Sequence, residues 1–324
     1  MISILGDVYL DKKYSVNIDL DKFIFNLEYP ITKSITPVKN KIVLHQENSF
    51  IKETFKKNPT AVCLSNNHIF DYGLDGAQQT IEFLNQNNIS YFGVGNEKNN
   101  YNNPYSINDQ KITYDFYGYC CTSTNPFIGN EKISLSLIDV DRIKRDIVSS
   151  KSKGNTVNII LHWGDEEVKY PKPSDIRIAR KLIDFGADLV LGHHAHVVQS
   201  YEIYKEKKIF YGIGNFIFPD LDIPSHFNGK NFEKKYMKQQ SNENRKSIVI
   251  DIPNKNELNV RKTFFKKGVI DLYDFKINKY LIESNFLYET YKFFYFRAFI
   301  IRRFIKSPKI PSIEQILIFA GLKK

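Results

Sequence analysis

Three imidazoles fall within four positions at His193-His194-Ala195-His196, directly after the short apolar run 189–191. Other polar side chains repeat this placement. Asp7 follows the run 2–5, and Glu28 follows 23–27. Asn66, Asn67 and His68 follow 61–64. His162 follows 157–161, and Asn215 comes just after 209–212. Carboxylate, amide oxygen and neutral imidazole together suit Mn, Fe or Zn better than Mg or Ca alone. Two cations about 3.5–4 Å apart need about seven protein ligands, one of them bridging. Asp7, Glu28, Asn67, His162, His194 and His196 supply such a set and leave His68 for proton transfer. The chemistry is then metal-assisted hydrolysis.

Each residue also has an ordinary reading. Asp7 suits a turn or helix cap, Glu28 a strand-end acid, and Asn67 a left-handed turn. His68 could be a satisfied core histidine, and His162 could pack on Trp163. The histidine cluster is harder to explain that way, and the shared placement of the whole set favours a site. In an alternating strand His194 and His196 project together and His193 points elsewhere, so His193 is assigned a supporting or structural role. His45 and His226 lack such a context and are read as solvent-facing or structural.

The elements that must hold these residues are legible from pattern. The apolar runs are four to six residues long or shorter and several are β-branched, as in buried strands. Helical spacing appears over 76–85 (Ala77, Ile81, Leu84) and over 174–185 (Ile176, Ala179, Leu182, Ile183). Pro173 precedes the second helix and Gly186 suits the position after it. Strand–helix alternation gives an α/β fold. In an open α/β sheet, ligands bind beyond the carboxyl ends of the strands, where every candidate lies. Residues 228–246 are polar and predict a loop, with two further strands at 247–252 and 260–265.

The chain has 324 residues, 42% hydrophobic, enough for a substantial core. Its net charge is +10, but residues 276–324 carry ten Lys/Arg against three acids, so +7 of it lies there. The near-neutral remainder disfavours nucleic acid as a partner. The three cysteines, Cys63, Cys120 and Cys121, have no CxxC spacing and predict no disulfide framework. Neither a signal peptide nor a spanning helix is expected, so the cytoplasm is the default compartment. Two segments are expected, 1–275 and a basic, aromatic, helical tail at 276–324. Its stretch 284–306 mixes Phe, Tyr and Ile with Lys292, Arg297, Arg302, Arg303 and Lys306. The tail is expected to pack on the body, with peripheral contact to an anionic membrane, or contact with a partner protein or nucleic acid, as the alternatives.

Seven segments together resemble the CapA family of capsule and poly-γ-glutamate synthesis proteins, related to calcineurin-like metallophosphoesterases. They are GDVYL (6–10), NLEYPIT (26–32), LSNNHIFDYGLDG (64–76), YFGVGN (91–96), LHWGDEEVKYPKP (161–173), IARKLIDFGADLVLGHHAHVVQ (178–199) and YGIGNFIF (211–218). The resemblance implies a layered α/β/β/α sandwich, to which the tail adds a C-terminal helical extension, and a centre for two divalent ions between the sheets. Asp7 and His196 would hold the first ion, Glu28 would bridge, and Asn67, His162 and His194 would hold the second. His68 would protonate the leaving group, oriented by Asp71. One departure is Tyr9, which stands where the wider phosphoesterase pattern, Asp-x-His, has a histidine. A second is Asp11, where a basic residue is usual. The function implied is a metal-dependent hydrolase in capsule, poly-γ-glutamate or other surface-polymer biosynthesis, acting on an anionic polymer or phosphoester. The competing reading is a non-catalytic component of a polymer synthesis or export assembly that keeps the fold.

Overall fold

Each apolar run that precedes a candidate ligand is a strand. They are Ile2–Val8, Lys22–Leu27, Ala61–Cys63, Thr156–His162, Leu189–His193 and Lys207–Phe210. The first, fourth and fifth run further than their apolar cores, so Asp7, His162 and His193 are strand residues rather than loop residues. The computed structural model describes residues 1–96, 102, 104–109, 111–122, 128–254 and 257–306.

The strands form two main sheets. Ile2–Val8 lies at the centre of a nine-stranded sheet, between Lys22–Leu27 and Lys246–Asn254, with Asn215–Ile217 also paired to it. Ala61–Cys63 and Ser90–Phe92 extend one side, and Glu257–Lys266, Val269–Leu272 and Ser15–Val16 the other. The six-stranded sheet runs Tyr201–Tyr204, Lys207–Phe210, Leu189–His193, Thr156–His162, Ile112–Cys120, Tyr105–Asp109. The ligand-bearing strands pair in parallel in both sheets. Parallel neighbours need crossovers, supplied by helices Gly73–Gln86, Val140–Ser152 and Pro173–Asp184.

Three buried clusters correspond to three interlayer contacts. Ile2, Ile4, Ile24, Ala61 and Phe92 of the larger sheet pack on Phe116, Ile160, Leu191 and Phe210 of the smaller one. Ala77 and Leu84 of helix Gly73–Gln86 belong with Phe23, Phe25 and Leu27 on the outer face of the larger sheet. Ile143, Ile147, Ile176, Ala179 and Leu182 cover Ile159, Leu161 and Val190 on the outer face of the smaller sheet. The order is helix, sheet, sheet, helix, the expected α/β/β/α sandwich.

Two expectations differ from what is found. Residues 228–246 are not a continuous loop: Phe232–Lys238 pairs antiparallel with Leu221–Phe227 as a hairpin. Most of Phe232–Lys238 is exposed, so it lacks the one-sided apolar alternation that marks a half-buried strand. In the tail, residues 276–284 have no regular structure and the helix is Asn285–Lys306. The remainder of the expected tail, 307–324, lies outside the described residues.

Candidate metal centre

A close approach of backbones brings the first acid into position. A Cβ on Gly6 would meet the Gly214 carbonyl oxygen at 1.9 Å. Glycine therefore lets the 214–217 segment pass against the first strand, where the Asp7 amide donates to Gly214 O (3.1 Å). This pairs Asp7 with Asn215 on one side and Asn26 on the other. Asn26 Nδ2 donates to Asp7 Oδ1 (2.8 Å). Asn66 Nδ2 in turn donates to Asn26 Oδ1 (3.0 Å) and Leu27 O (2.8 Å). Asn66 Oδ1 accepts from the amides of His68 (2.9 Å) and Ile69 (3.0 Å), which fixes the turn carrying Asn67 and His68.

The opposite sheet brings the imidazoles. His162 and His193 end adjacent parallel strands in register. Beyond the strand end His194 and His196 take positive φ, 81° and 56°. This left-handed path reverses the chain, so strand alternation does not govern the cluster. His193 consequently does not point away. Its Nδ1 lies 3.0 Å from Asp7 Oδ1, beside the acid, which fits a supporting role.

Asp7, Glu28, Asn67, His162, His194 and His196 converge on one buried region. Two groups of donor atoms lie within 4.8 Å of one another: Glu28, His162 and His194, and Asp7, Glu28 and His196. Glu28 is common to both. Its Oε1 stands 3.7 Å from His162 Nε2 and 3.7 Å from His196 Nε2, and it has no hydrogen-bond partner. Asn67 Oδ1 is 2.7 Å from His162 Nε2. His196 Nδ1 contacts Asn215 Oδ1 (2.8 Å), which orients its ring.

The donor set fits a cation. Donors around one ion at about 2.1 Å stand roughly 3–4 Å apart, as the Glu28–imidazole distances do. Buried polar atoms are normally satisfied, yet Glu28 Oε1, His162 Nδ1 and His194 Nδ1 are buried without a partner. Burial pushes His194 down to about 4 and, with crowding by His194, pushes His162 well below the usual imidazole range. Both rings are thus neutral, the form that ligates metals. Burial and the nearby Asp7 hold the Glu28 carboxyl well above the carboxylate range. Burial alone would raise Asp7 too, but His193 and His196 outweigh it and hold Asp7 low.

His68 and Asp71 lie beside this region as a pair. His68 Nδ1 is 2.6 Å from Asp71 Oδ2, which also accepts from the Leu44 amide (2.7 Å). Lys41 Nζ donates to Asp71 Oδ1 and to the Asn67 carbonyl. Tyr9 is buried, accepts from Gln46 (2.8 Å) and meets Tyr29 edge-on. Burial pushes its hydroxyl up to about 12, so it remains a neutral phenol.

Sequence reasoning missed several residues here. A cleft of about 360 Å³ opens over Asn67, His68 and His196 and is also lined by Lys41, Glu166, His226, Tyr236 and Lys238. His226 therefore faces the cleft, not bulk solvent alone. Lys238 and Tyr236 arrive on the unexpected hairpin. Asn26 had a signal, since an amide inside the run 23–27, otherwise made of Phe, Ile and Leu, needs buried partners.

The sequence matches the family described as "Bacterial capsule synthesis protein PGA_cap" over residues 11–220. It is 30% identical over 202 residues to the capsule biosynthesis protein CapA of Bacillus anthracis, covering 60% of this chain and 49% of that protein. It is 29% identical over 206 residues to the PGA biosynthesis protein CapA of Bacillus subtilis, covering 60% and 52%. The chain thus spans about half the length of these relatives. Among solved structures, a hypothetical protein from Thermus thermophilus aligns at 11% identity with a TM-score of 0.42, covering 84% of this chain and 97% of that one. With the family match extending over more than half of its length, the chain belongs to the PGA_cap family of bacterial capsule synthesis proteins.

Proposed function

We propose that the chain is a metal-dependent hydrolase of phosphoesterase type, acting on a phosphoester or anionic polymer in capsule, poly-γ-glutamate or related surface-polymer biosynthesis. The observation that carries this reading is the unpartnered, buried Glu28 Oε1 midway between two imidazoles, 3.7 Å from each. In this reading Asp7 and His196 would hold one ion and Asn67, His162 and His194 the other, with Glu28 shared between them. Bound divalent ions would supply Lewis-acid activation of water and stabilise negative charge developing on the substrate.

The chain's own residues do the rest. Asp71 fixes the His68 ring through Nδ1, which leaves Nε2 to deliver a proton to the leaving oxygen. Lys41 keeps Asp71 in place and ties it to the Asn67 backbone. The cleft admits substrate beside His68, with Lys238 and Glu166 on its wall.

The test is metal analysis of purified protein after reconstitution with Mn, Fe or Zn, followed by turnover of a chromogenic phosphodiester. His194→Ala should lose both metal and turnover. Full turnover in that variant, or failure of the wild type to bind metal, would overturn the reading. The second reading, a non-catalytic component of a polymer assembly, is favoured by Tyr9. A phenol stands there, engaged by Gln46, and adds no nitrogen to the first ion. Stoichiometric metal without turnover on any phosphoester would support it.

A further inference from the structure

A second cavity, of about 410 Å³, neighbours the cleft. The segment 40–48 divides between the two spaces. Lys41, Ile42 and Leu44 line the cleft, and Val43, His45 and Gln46 line the cavity. The hairpin divides in the same way, with Leu221, His226 and Lys238 on the cleft and Ile223, Pro224 and Phe232 on the cavity. The Asn40 amide donates to Phe227 O (3.1 Å) and the His226 amide to Lys41 O (3.2 Å), which joins segment and hairpin into one wall. The candidate centre makes no use of the space beyond it.

Hydrogen bonds hold the lining of this cavity in place. Tyr9 and Tyr72 are buried. Gln46 Nε2 donates to Tyr9 Oη (2.8 Å), and the Gln46 backbone is itself bonded to Pro30 O and the Thr32 amide. Tyr72 Oη meets His45 Nδ1 at 3.0 Å, and the two rings lie 4.4 Å apart. Rings tied at their polar tips cannot collapse into the space, so the cavity is preformed, as ligand sites usually are. Phe50 from the body and Phe232 from the hairpin add two more rings.

The chemistry of the lining indicates the occupant. Among the described residues no Lys or Arg lines the cavity, while Asp11 and Glu47 do. Burial pushes His45 below the usual imidazole range, so its ring is neutral. An anionic ligand is therefore disfavoured. A cation gains little either, because both carboxylates are exposed and solvated and Asp11 Oδ1 already accepts from Tyr14 Oη (2.5 Å). What remains is a set of aromatic rings beside amides and carboxylates. An aromatic face carries partial negative charge, which attracts the C–H face of a saturated ring. The amides of Gln46 and Asn48 both donate and accept, as hydroxyls do. A sugar ring has one such C–H face and a rim of hydroxyls.

We propose that this second cavity binds an uncharged pyranose unit, with the C–H face of the sugar on the aromatic lining and its hydroxyls on Gln46, Asn48 and Glu47. The hairpin then serves two sites, bringing Phe232 to the sugar and Lys238 to the cleft. The sugar site uses none of the proposed metal ligands and needs no ion. It is therefore independent of whether the neighbouring centre is a hydrolase.

The experiment is a ligand-observed NMR titration of the full chain, in chelator, with the methyl glycosides of glucose, galactose, mannose and N-acetylglucosamine. At least one should bind with a dissociation constant below about 10 mM. The uronide of the tightest binder, which differs only by a carboxylate at C6, should bind about tenfold or more weakly. Phe232→Ala and Asn48→Ala, both at exposed positions, should each weaken the glycoside by about fivefold or more without lowering the thermal melt. Glu47→Lys should bring the uronide towards the neutral glycoside. If Phe232→Ala disturbs the hairpin, Asn48→Ala and Glu47→Lys carry the test. Failure of all four glycosides to bind overturns the proposal. So does equal or tighter binding of the uronide or of spermidine. Glycoside binding that Asn48→Ala and a folded Phe232→Ala both leave intact also overturns it, since the sugar would then sit elsewhere. A chain that binds sugar without phosphoester turnover keeps this site and loses the hydrolase, and one with turnover but no sugar binding does the reverse.

Discussion

Burying a carboxyl oxygen with no donor costs several kcal/mol, so the unpartnered Glu28 Oε1 is the atom that best supports the proposed metal site. His162, 3.7 Å from it, and the neighbouring His194 are pushed towards their neutral forms by burial, which disfavours a carboxylate–imidazolium pair with either. His68 belongs to a different arrangement, with Nδ1 committed to Asp71 and no place in either donor group. His68→Gln should therefore keep its metal and lose turnover by about 10²–10⁴-fold, the usual worth of a positioned general acid. Metal content and kcat measured on the same preparation decide it. A variant that loses its metal would make His68 a ligand, and one with unchanged kcat would remove it from proton transfer. The histidines and acids of the site were legible because charged or imidazole side chains after apolar strands have few structural uses. The amides Asn26 and Asn66 were less so. A buried asparagine reads the same in sequence whether it joins a network or caps a turn, and only coordinates show Asn66 tying Asn26 to the His68 turn.

At the scale of strands and helices, the site depends on backbones that touch. Gly6→Ala places a methyl against a carbonyl oxygen at 1.9 Å, and a backbone atom cannot swing aside as a side chain can. Separating the first strand from the 214–217 segment should cost about 3 kcal/mol or more, read as a lowered denaturant midpoint. A variant as stable as the wild type would show that the contact relaxes freely. Helix Pro173–Asp184 offers a test in pH. Burial raises the Asp175 carboxyl from 3.8 to about 6, only partly opposed by Lys172, and its Oδ2 has no hydrogen-bond partner. A raised carboxyl binds its proton more tightly in the folded state, so stability is lost as pH rises from about 4 through about 6. Asp175→Asn mimics the protonated form. It should be about 2–3 kcal/mol more stable than the wild type at pH 8, with the gain fading towards pH 4. Equal pH profiles for the two proteins would show the carboxylate to be solvated. The buried strands and this helix were visible in sequence because burial on one or both faces imposes a pattern. The 221–238 hairpin was not, because its exposed second strand buries too little to leave one.

Across the whole molecule, the proposed ligands are divided between the sheets. Asp7, Glu28 and Asn67 come from the larger, and His162, His194 and His196 from the smaller. The α/β class could be anticipated because strand–helix alternation and a shared carboxyl edge are properties of the pattern, while the α/β/β/α layering was implied by the family resemblance. The pairing of Glu28 with both sets of imidazoles could not, since it depends on how two sheets face each other across the core of Ile4, Ile160 and Leu191. Ions held from both sides would join the layers, and anything that binds only the folded state raises its stability by mass action. At a metal concentration about 100 times the dissociation constant the gain is about 2.7 kcal/mol. For a chain of this length that raises the melting temperature by about 4 °C. The shift should appear as one transition for both sheets, vanish with chelator, and be absent in Glu28→Gln, whose neutral amide cannot bridge two cations. In chelator, Glu28→Gln should melt no lower than the wild type, because it removes a buried acid facing Asp7. An equal rise in melting temperature for Glu28→Gln would place the cations elsewhere on the molecule, while no rise in either protein would count against any cation at Glu28, whose burial would then be met by the neutral acid that its raised pKa favours.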